Sequence, residues 1–386
     1  MTGRSAWTQG EPIRVALVVS RLQRGGLEQV LLDVAQGLTP RGFRFEVVAL
    51  HGAGERDGEF EAAGIAVTHL AGRPRIASVA ANLLCWAKLL RVLHRIRPHV
   101  VQTHHFFSGT LGRIAARAAG VPVVVQADHN FYAWKGAAAR AVDRVLARTT
   151  DAFVVPSSAL AAHVASFHGV DGSRVHVVPN GIAPHPALLP ARDARLALGL
   201  PPAAPIVGFV GRLAPIKRPL EFIRMFASIA GAHDSAVAAV LGDGPLATSV
   251  RGAARQLGER VRFCGDVPDA AAFMRAFDVL VTTSSEEGFG LAPCEAVLAG
   301  VPVVVPPLPP LVELLRGLPG HHFTDDPAPV VLAILRDPSA AHLATHQLRE
   351  RLLRELAPEA MIAGYESLYR RLVSRALGPD PAVARA

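Results

Sequence analysis

The stretch Glu287-Gly288-Phe289-Gly290-Leu291-Ala292-Pro293-Cys294-Glu295 places two carboxylates eight positions apart, with a Gly-Phe-Gly turn between them. The apolar run before it, residues 278–283, predicts a buried strand of a parallel sheet. The run after it, residues 291–298, has helical spacing and ends at Gly300, and glycine is common just past the end of a helix. The sequence therefore predicts a strand, a glycine turn and a helix.

This predicted turn has the features of an anion site. Free backbone N–H groups near Gly290 and Leu291 would point outward from the helix start, which is a geometry that binds phosphate. Glu295, about one turn into the helix, is better suited to accept hydrogen bonds from hydroxyls such as those of a ribose. Glu287, before the turn, could do the same for a sugar. The alternative is a plain strand-to-helix turn with solvated glutamates.

The composition predicts a globular chain of two domains. The chain has 386 residues, of which 50% are hydrophobic and 19% are charged, and this excludes a disordered or collagen-like protein. Its three cysteines (Cys85, Cys264 and Cys294) are far apart, form no disulfide or metal pattern, and fit a reducing, cytoplasmic compartment. Residues 1–11 lack the apolar core of a signal peptide, and no apolar run is long enough to predict a membrane span.

The net charge of +8 fits an anionic substrate, an anionic membrane surface or nucleic acid. Nucleic acid is the least favoured partner, because no nucleic-acid-binding motif is present and aromatic residues are few. A predicted helix over residues 76–97 has a basic face, which leaves peripheral membrane contact open. The simpler interpretation is a helix that covers a sheet and exposes a solvated face.

Strand-like and helical patterns alternate along most of the chain, which predicts parallel α/β sheets. The strand-like runs fall into two series, residues 13–20, 45–50, 65–70, 99–103, 122–126, 152–155 and 175–178, then 206–210, 237–241, 261–264, 279–282 and 301–305. Between the series, Asn180-Gly181 and the proline-rich residues 184–190 predict a linker. The tail, residues 342–355 and 359–374, predicts two amphipathic helices. We therefore expect two Rossmann-like domains of similar size.

In each of the two predicted domains, a glycine-containing loop follows the first strand. Gly25 and Gly26 would let the backbone approach a ligand closely, although a glycine pair also serves as a bare turn. The spacing Gly-x-Gly-x-x-Gly is absent, which argues against a dinucleotide cofactor. In the second loop, Arg212 and Lys217 could converge on one anion and stabilise a diphosphate leaving group in the transition state. The alternative there is a surface loop with solvated charges.

Histidines and a lysine follow two other predicted strands of the first domain. His129 comes after the strand that ends at residue 126, and Lys135 lies further along the same loop, where it could reach a phosphate or an acceptor. His104 and His105 end the preceding strand. Because adjacent strand residues point to opposite faces, this pair is a poor metal site, and one of the two could line a cleft. No other metal-binding pattern is present.

Together these motifs resemble the retaining, group-1 glycosyltransferases of glycosyltransferase family 4. The resemblance rests on Glu-x7-Glu at Glu287 and Glu295, Gly-Gly-x-Glu at residues 25–28 and Gly-Arg-Leu-x-x-x-Lys at residues 211–217, and it spans roughly residues 13–375. It implies the GT-B architecture, in which two facing Rossmann-like domains hold the donor in a cleft. The implied domains are 1–183 on the acceptor side, 184–357 binding the nucleotide sugar, and a helix over 358–376 that packs back on the N-terminal domain.

The resemblance also implies roles for individual residues. Arg212, Lys217 and the amides of Gly290 and Leu291 would hold the donor diphosphate, Glu295 the ribose, and Glu287 the donor sugar. The implied catalytic residues are Glu287, His129, Arg212 and Lys217. The implied donor-binding residues are Gly25, Gly26, Val267, Phe289, Gly290, Leu291 and Glu295, with the backbone near Val267 reading the nucleobase.

The expected reaction is transfer of a sugar from a nucleotide-diphosphate sugar with retention at the anomeric carbon. We expect front-face attack with the leaving phosphate as base, with a covalent intermediate on Glu287 as the alternative. No cofactor or metal is expected, since fixed cations serve the diphosphate and no Asp-x-Asp motif is present. The acceptor could be a polysaccharide, a lipid-linked glycan or a small molecule.

One segment departs from the family pattern. The family usually has a Gly-Gly pair after the strand over residues 301–305, where this chain has the proline-rich residues 306–310. Proline cannot donate a backbone hydrogen bond, so any ligand contact by those amides is in doubt. A catalytically silent partner subunit is therefore one alternative function. A nucleotide-sugar 2-epimerase, which shares the architecture, is another.

Overall fold

The computed structural model of the chain describes residues 11–70, 79–131, 135–316 and 324–378. Strands and helices alternate along these residues as the sequence predicts. The strands are β1 Ile13–Val19, β2 Phe43–Ala49, β3 Ala66–His69, β4 Val100–His104, β5 Val123–Ala127, β6 Ala152–Val155, β7 Val175–Val177, β8 Ile206–Val210, β9 Val237–Leu241, β10 Val261–Gly265, β11 Val279–Val281 and β12 Val303–Val304.

The helices cover both faces of the sheets. They are α1 Gly26–Leu38, α2 Asp57–Ala62, α3 Val79–Ile96, α4 Phe106–Ala118, α5 Ala137–Ala147, α6 Ser158–His168, α7 Ala191–Ala197, α8 Pro219–Ala232, α9 Ala247–Ala253, α10 Leu291–Leu298, α11 Pro309–Leu314, α12 Pro327–Arg336, α13 Ser339–Glu355 and α14 Pro358–Leu377. The start of the helix predicted at residues 76–78 lies outside the described residues, as does most of the chain end after residue 377.

Two compact units divide the chain, Met1–Gly181 with Pro358–Ala386, and Ile182–Ala357. Unit 1 contains a 7-stranded parallel sheet of order β3-β2-β1-β4-β5-β6-β7, and unit 2 a 5-stranded parallel sheet of order β10-β9-β8-β11-β12. In each sheet the strand order reverses beside the first strand, at β1/β4 and at β8/β11. Such reversal points are where Rossmann-like sheets bind ligands, at the carboxyl ends of the strands. The predicted α/β class with two Rossmann-like domains is confirmed.

The central strands are buried because helices lie on both faces of each sheet. Ala16 and Leu17 in β1 and Val207 in β8 have no solvent exposure, and this explains why these strands read as continuous apolar runs in the sequence. Removal of this apolar surface from water is the main favourable contribution to folding each unit.

The C-terminal helix α14 packs on unit 1, as expected from the resemblance. Tyr369 has no solvent exposure, and its ring centroid lies 6.1 Å from that of Phe43. At the rim of this contact, Glu366 accepts a 2.9 Å hydrogen bond from Arg41. The preceding helix α13 packs instead on α10 of unit 2, where Leu348 and Leu352 join the core. The chain therefore returns to its first unit only in its last helix.

The proline-rich departure becomes the start of a helix. Pro309 occupies the first turn of α11, where a backbone N–H is not required for helix hydrogen bonding. Leu311, in the same helix, is fully buried and packs beneath Gly290 of the glycine turn. The segment thus supports the turn through a side chain.

No helix within the described ranges is long and apolar enough to cross a membrane. Two leucines of α3 are nevertheless exposed, Leu83 at 60% and Leu84 at 61%. They lie on the helix whose basic face the sequence analysis singled out.

Substitution of Gly37 tests the packing of α14. A Cβ atom at Gly37 would lie 2.3 Å from the Cδ1 atom of Ile362 in α14. We expect Gly37→Ala to lower the free energy of unfolding by about 1–3 kcal/mol through this overlap, measured by urea denaturation.

The matched control is Gly58→Ala in α2, where an added Cβ meets no atom within 4 Å. Because alanine favours the helix over glycine, this control should be neutral or stabilising by up to about 1 kcal/mol. Equal stability of the two variants would contradict the packing described for α14.

Candidate functional site

The glycine turn of unit 2 has the geometry of an anion site. Gly290 precedes α10 with φ of +103°, a left-handed conformation that favours glycine. A Cβ there would also lie 2.4 Å from the Cδ2 atom of Leu311. The first N–H groups of α10, starting at Leu291, have no carbonyl one turn earlier in the helix and point out of its end. The predicted turn and its helix are therefore present.

Glu287 and Lys217, two of the predicted catalytic residues, are in direct contact. Oε1 of Glu287 lies 2.5 Å from Nζ of Lys217 and also accepts a 2.7 Å hydrogen bond from Ser284. Glu287 is only 8% exposed. Charge-assisted bonds of this length hold a carboxylate in one orientation. Ser284 was missed in the sequence analysis, and its signal was a hydroxyl residue between the strand and the first glutamate.

The loop that carries the cations is fastened to the loop that carries Glu287. The backbone N–H of Ser285 donates to the carbonyl of Ile216, at 2.8 Å, and Thr283 donates its hydroxyl to the carbonyl of Lys217, at 3.0 Å. Arg212, at the start of the cation loop, is exposed, and its side chain makes no hydrogen bond or ion pair with the described residues. An exposed cation and a fixed ion pair therefore lie on adjacent loops.

Glu295 lies on α10, one position after Cys294. Burial, with a smaller contribution from the negative charge of Asp269, raises the pKa of Glu295 to about 7. The group therefore changes charge near neutral pH. As a carboxylate it can accept hydrogen bonds from hydroxyls.

Two other predicted donor-binding residues lie on separate loops of unit 2, after β10 and after β11. Val267 comes just after β10 and packs partly against the core. The side chain of Phe289 is 5% exposed and belongs to that core, so a ligand at the turn would meet its backbone.

In unit 1, the predicted glycine pair opens α1. Gly25 is extended, with φ of −177°, so its conformation does not require glycine. A Cβ at Gly25 would lie 2.8 Å from Oε2 of Glu28, so the end of the Glu28 side chain would have to shift to make room for it. Glu28 is buried beneath the loop, and this burial raises its pKa to about 7. Gly26 is the first residue of the helix and is partly buried.

His129 follows β5 and stacks on His104. The ring centroids are 5.4 Å apart, and Nε2 of His129 lies 3.1 Å from Nδ1 of His104. Burial lowers the pKa of His129 to about 3 and that of His104 well below its usual range, so both rings are neutral. Beside them, burial would raise the pKa of Asp128, but its contact with His168 holds that pKa below the usual range.

Two sequence interpretations change in this region. The sequence predicts that Lys135 could reach a phosphate or an acceptor, but Lys135 is 3% exposed and its Nζ atom lies 2.7 Å from Oδ2 of the buried Asp143. His105 was placed at a strand end, but β4 ends at His104, and His105 precedes α4 with φ of +64°. Within the part of the chain that the structure describes, no cluster of His, Cys, Asp or Glu could hold a metal ion.

The predicted residues thus form two sets, each at the carboxyl ends of the strands in its own unit. Unit 1 carries Gly25, Gly26 and His129. Unit 2 carries the cations, the glycine turn and both glutamates, namely Arg212, Lys217, Val267, Glu287, Phe289, Gly290, Leu291 and Glu295.

Two family models match the chain one after the other. Glycosyltransferase Family 4 matches residues 24–185, and Glycosyl transferases group 1 matches residues 204–336. A D-inositol 3-phosphate glycosyltransferase from Mycolicibacterium paratuberculosis is 30% identical over 318 residues, which cover 72% of this chain and 69% of the relative. The enzyme of that name from Thermomonospora curvata is 29% identical over 397 residues, with coverage of 90% and 89%.

Solved structures share the fold at lower identity. HepE of Anabaena, in complex with UDP and glucose, is 19% identical with a TM-score of 0.79 and coverage of 92% of this chain and 99% of its own. Sucrose-phosphate synthase of Thermosynechococcus elongatus is also 19% identical, with a TM-score of 0.78 and coverage of 94% and 99%. These likenesses bear on the fold alone.

The raised pKa of Glu295 predicts a pH-dependent contribution to stability. Between its ordinary pKa of 4.5 and about 7, folded Glu295 binds more protons than unfolded Glu295. The stability so gained is complete below pH 4.5 and is lost as the pH rises through 7. Glu295→Gln removes this dependence on pH. The difference in free energy of unfolding, wild type minus variant, should therefore fall by about 1–3 kcal/mol between pH 5 and pH 8.

The measurement is urea denaturation at a series of pH values. Glu259→Gln serves as the control, because it removes the same charge at a side chain that is 84% exposed. Parallel pH profiles for wild type and Glu295→Gln would show that this carboxyl is not perturbed.

Proposed function

This chain belongs to the group 1 glycosyltransferases of family 4, and we propose that it moves a sugar from a nucleoside-diphosphate sugar to an acceptor with retention of anomeric configuration. The observation that carries the proposal is the ion pair of Lys217 and Glu287 beside the N-terminus of α10. It puts a cation, a fixed carboxylate and outward N–H groups at the carboxyl end of one sheet.

The donor diphosphate is proposed to bind at Arg212, Lys217 and the first amides of α10. Negative charge grows on the β-phosphate as the glycosidic bond breaks, so fixed positive groups there stabilise the transition state more than the ground state. Arg212 is exposed and can turn toward the diphosphate. Because these groups supply the charge that a divalent ion would otherwise supply, we propose a metal-independent reaction.

The rest of the donor is proposed to lie along the same edge of unit 2. Ionised Glu295 would accept hydrogen bonds from the ribose hydroxyls, and the backbone near Val267 would contact the base. Glu287, held by Ser284 and Lys217, would accept hydrogen bonds from the donor sugar. HepE has been solved with UDP and with UDP-glucose, which makes uridine nucleotides the first to test.

We propose front-face attack for the chemical step. The anomeric C–O bond to the diphosphate breaks, the acceptor oxygen forms its bond on the same face, and the acceptor proton passes to a phosphate oxygen. Support comes from Glu287, whose Oε1 is already engaged by Lys217 and Ser284. Two donors on Oε1 draw negative charge from the carboxylate and make it a weaker nucleophile.

The acceptor is proposed to be a hydroxyl compound of polysaccharide, lipid-linked glycan or inositol phosphate type. The inositol phosphate class comes from the names of the curated relatives, and the net charge of +8 suits an anionic acceptor. A 2-epimerase would convert the donor without any acceptor. A silent subunit would bind the nucleotide without turnover.

Nucleotide binding provides the first test. Thermal unfolding is followed with UDP, GDP, ADP and dTDP in the absence of metal. A ligand at 100 times its Kd adds about 2.7 kcal/mol to stability. We therefore expect one of the four nucleotides to raise the Tm of the protein by a few degrees. Lys217→Ala should lower the affinity for that nucleotide by about tenfold to 100-fold.

The matched control is Arg224→Ala in α8 of the same unit, a cation whose side chain is 67% exposed. It should leave the Tm shift unchanged. If none of the four nucleotides raises the Tm of the wild type, the proposed donor site is wrong.

Turnover separates the remaining possibilities. With the selected nucleotide sugar, release of nucleoside diphosphate should depend on acceptor and should persist in EDTA, because the protein supplies the positive charge at the diphosphate. NMR of the anomeric proton in the product should show retention. Loss of activity in EDTA that Mg²⁺ restores would refute metal independence, and an inverted product would refute the front-face step.

A further inference from the structure

A buried polar chain in unit 1 connects the C-terminal helix to His129. The hydroxyl of Tyr369 in α14 lies 2.7 Å from Oε1 of Gln102 in β4. Nε2 of the same Gln102 lies 3.2 Å from Nε2 of His104, and Nδ1 of His104 lies 3.1 Å from Nε2 of His129. Tyr369, Gln102 and His104 are each at most 1% exposed. This series of hydrogen-bonded side chains, from Tyr369 to His129, is therefore closed to solvent along most of its length.

The protons along this chain are coupled, and the hydroxyl of Tyr369 fixes their direction. This buried hydroxyl must donate its proton, and the acceptor within hydrogen-bond distance is Oε1 of Gln102, whose side chain also contacts the hydroxyl of Tyr365. If the Gln102 amide were turned around, its NH₂ group would face the Tyr369 hydroxyl, and the hydroxyl proton would lose this acceptor. A buried donor without a partner is strongly disfavoured. The amide oxygen therefore faces Tyr369, and the amide NH₂ faces His104.

This orientation propagates through both imidazole rings. Since the Gln102 NH₂ group donates to Nε2 of His104, that nitrogen is unprotonated, and the ring proton of neutral His104 is on Nδ1. His104 then donates to Nε2 of His129, which leaves the single ring proton of neutral His129 on Nδ1. No described residue accepts a hydrogen bond from that N–H group.

The neighbouring acid does not compete for the rings. Asp128 precedes His129 in the sequence, but its carboxylate accepts from Gln126 at 3.0 Å and contacts His168 at 3.0 Å. The tautomer of His129 is therefore set by the series of hydrogen bonds that starts at Tyr369.

We propose that Gln102 is a positioning residue that holds His129 as the tautomer protonated on Nδ1, so that His129 presents an N–H donor to the donor sugar. The second half of this inference rests on the proposed function, together with the catalytic role that the family resemblance implies for His129. The first half concerns the free protein and stands independently of any substrate. Tyr369 would act in the same way, one step further from His129.

The direct test is the tautomeric state of His129 in the full-length protein without ligand. With ¹⁵N-labelled histidine, long-range ¹H–¹⁵N correlation spectra distinguish protonated from unprotonated ring nitrogens, and the signals of His129 are identified by their loss in His129→Asn. We expect Nδ1 of His129 to be the protonated nitrogen. A His129 protonated on Nε2 in the wild type overturns the proposal without recourse to any variant.

Two variants test the role of the chain. Gln102→Leu removes the donor to His104, and Tyr369→Phe releases the Gln102 amide to turn around. In each, the population of His129 protonated on Nδ1 should fall from nearly all to a mixture. Thr150→Val is the control, because it removes a different buried hydroxyl of unit 1, 2.9 Å from the carbonyl of Leu146. Unchanged His129 signals in both chain variants would overturn the proposal.

Binding then connects the tautomer to the substrate. The readout is the affinity for UDP-glucose relative to UDP, because the ratio cancels effects on the nucleotide site. Gln102→Leu should lower this ratio by about tenfold, as expected for one lost hydrogen bond, and Thr150→Val should not change it. A changed tautomer with an unchanged ratio would overturn the proposed contact with the sugar. If wild type binds neither ligand, the proposed uridine donor fails, and the NMR result still decides the tautomer.

Discussion

Parallel strands impose a constraint on which every candidate site in this protein depends. Each strand must be followed by a crossover before the next can pair beside it, so all the loops that leave the carboxyl ends gather at one edge of the sheet. The loops after β8 and β11 come together for this reason, although about 70 residues separate Ile216 and Ser285 in the sequence. Because the sheet brings these loops together, residues that are far apart in the sequence can belong to one candidate site.

The contact between Lys217 and Glu287 adds an electrostatic consequence to that geometry. A lysine that neutralises a neighbouring carboxylate presents less net charge to a diphosphate than a solitary lysine would. Arg212, exposed and without a carboxylate partner in the described ranges, carries the unbalanced charge of the cluster. In the proposed donor site the two cations would therefore have different roles. Lys217, which holds Glu287, would meet the diphosphate at short range, and Arg212 would supply attraction over a longer distance.

The sequence predicted the regular elements well because their patterns are local. The strand runs, the glycine turn and the amphipathic tail helices all appear in the structure close to the predicted positions. Motif spacing also placed most of the candidate site residues on loops that follow strands, and the structure has them on such loops. The ion pairs and hydrogen bonds between side chains were not predictable, because they join residues that the fold brings together from far apart in the sequence. Lys135 belongs to a buried ion pair with Asp143, and nothing near Lys135 in the sequence marks that burial. The hydrogen bond from Tyr369 to Gln102 joins residues 267 positions apart.

The return of α14 to unit 1 has a consequence for how the protein is made. Unit 2 is continuous in sequence, from Ile182 to Ala357, whereas unit 1 consists of both ends of the chain. During synthesis on a ribosome, the sheet of unit 1 emerges early, but the groove that holds Tyr369 and Ile362 stays open until α14 has been synthesised. The nascent first unit thus exposes apolar surface around Phe43 and Gly37 while unit 2 is still being synthesised. Completion of the last helix is the event that seals this surface, so chains that terminate early would carry a built-in signal for recognition by chaperones or proteases.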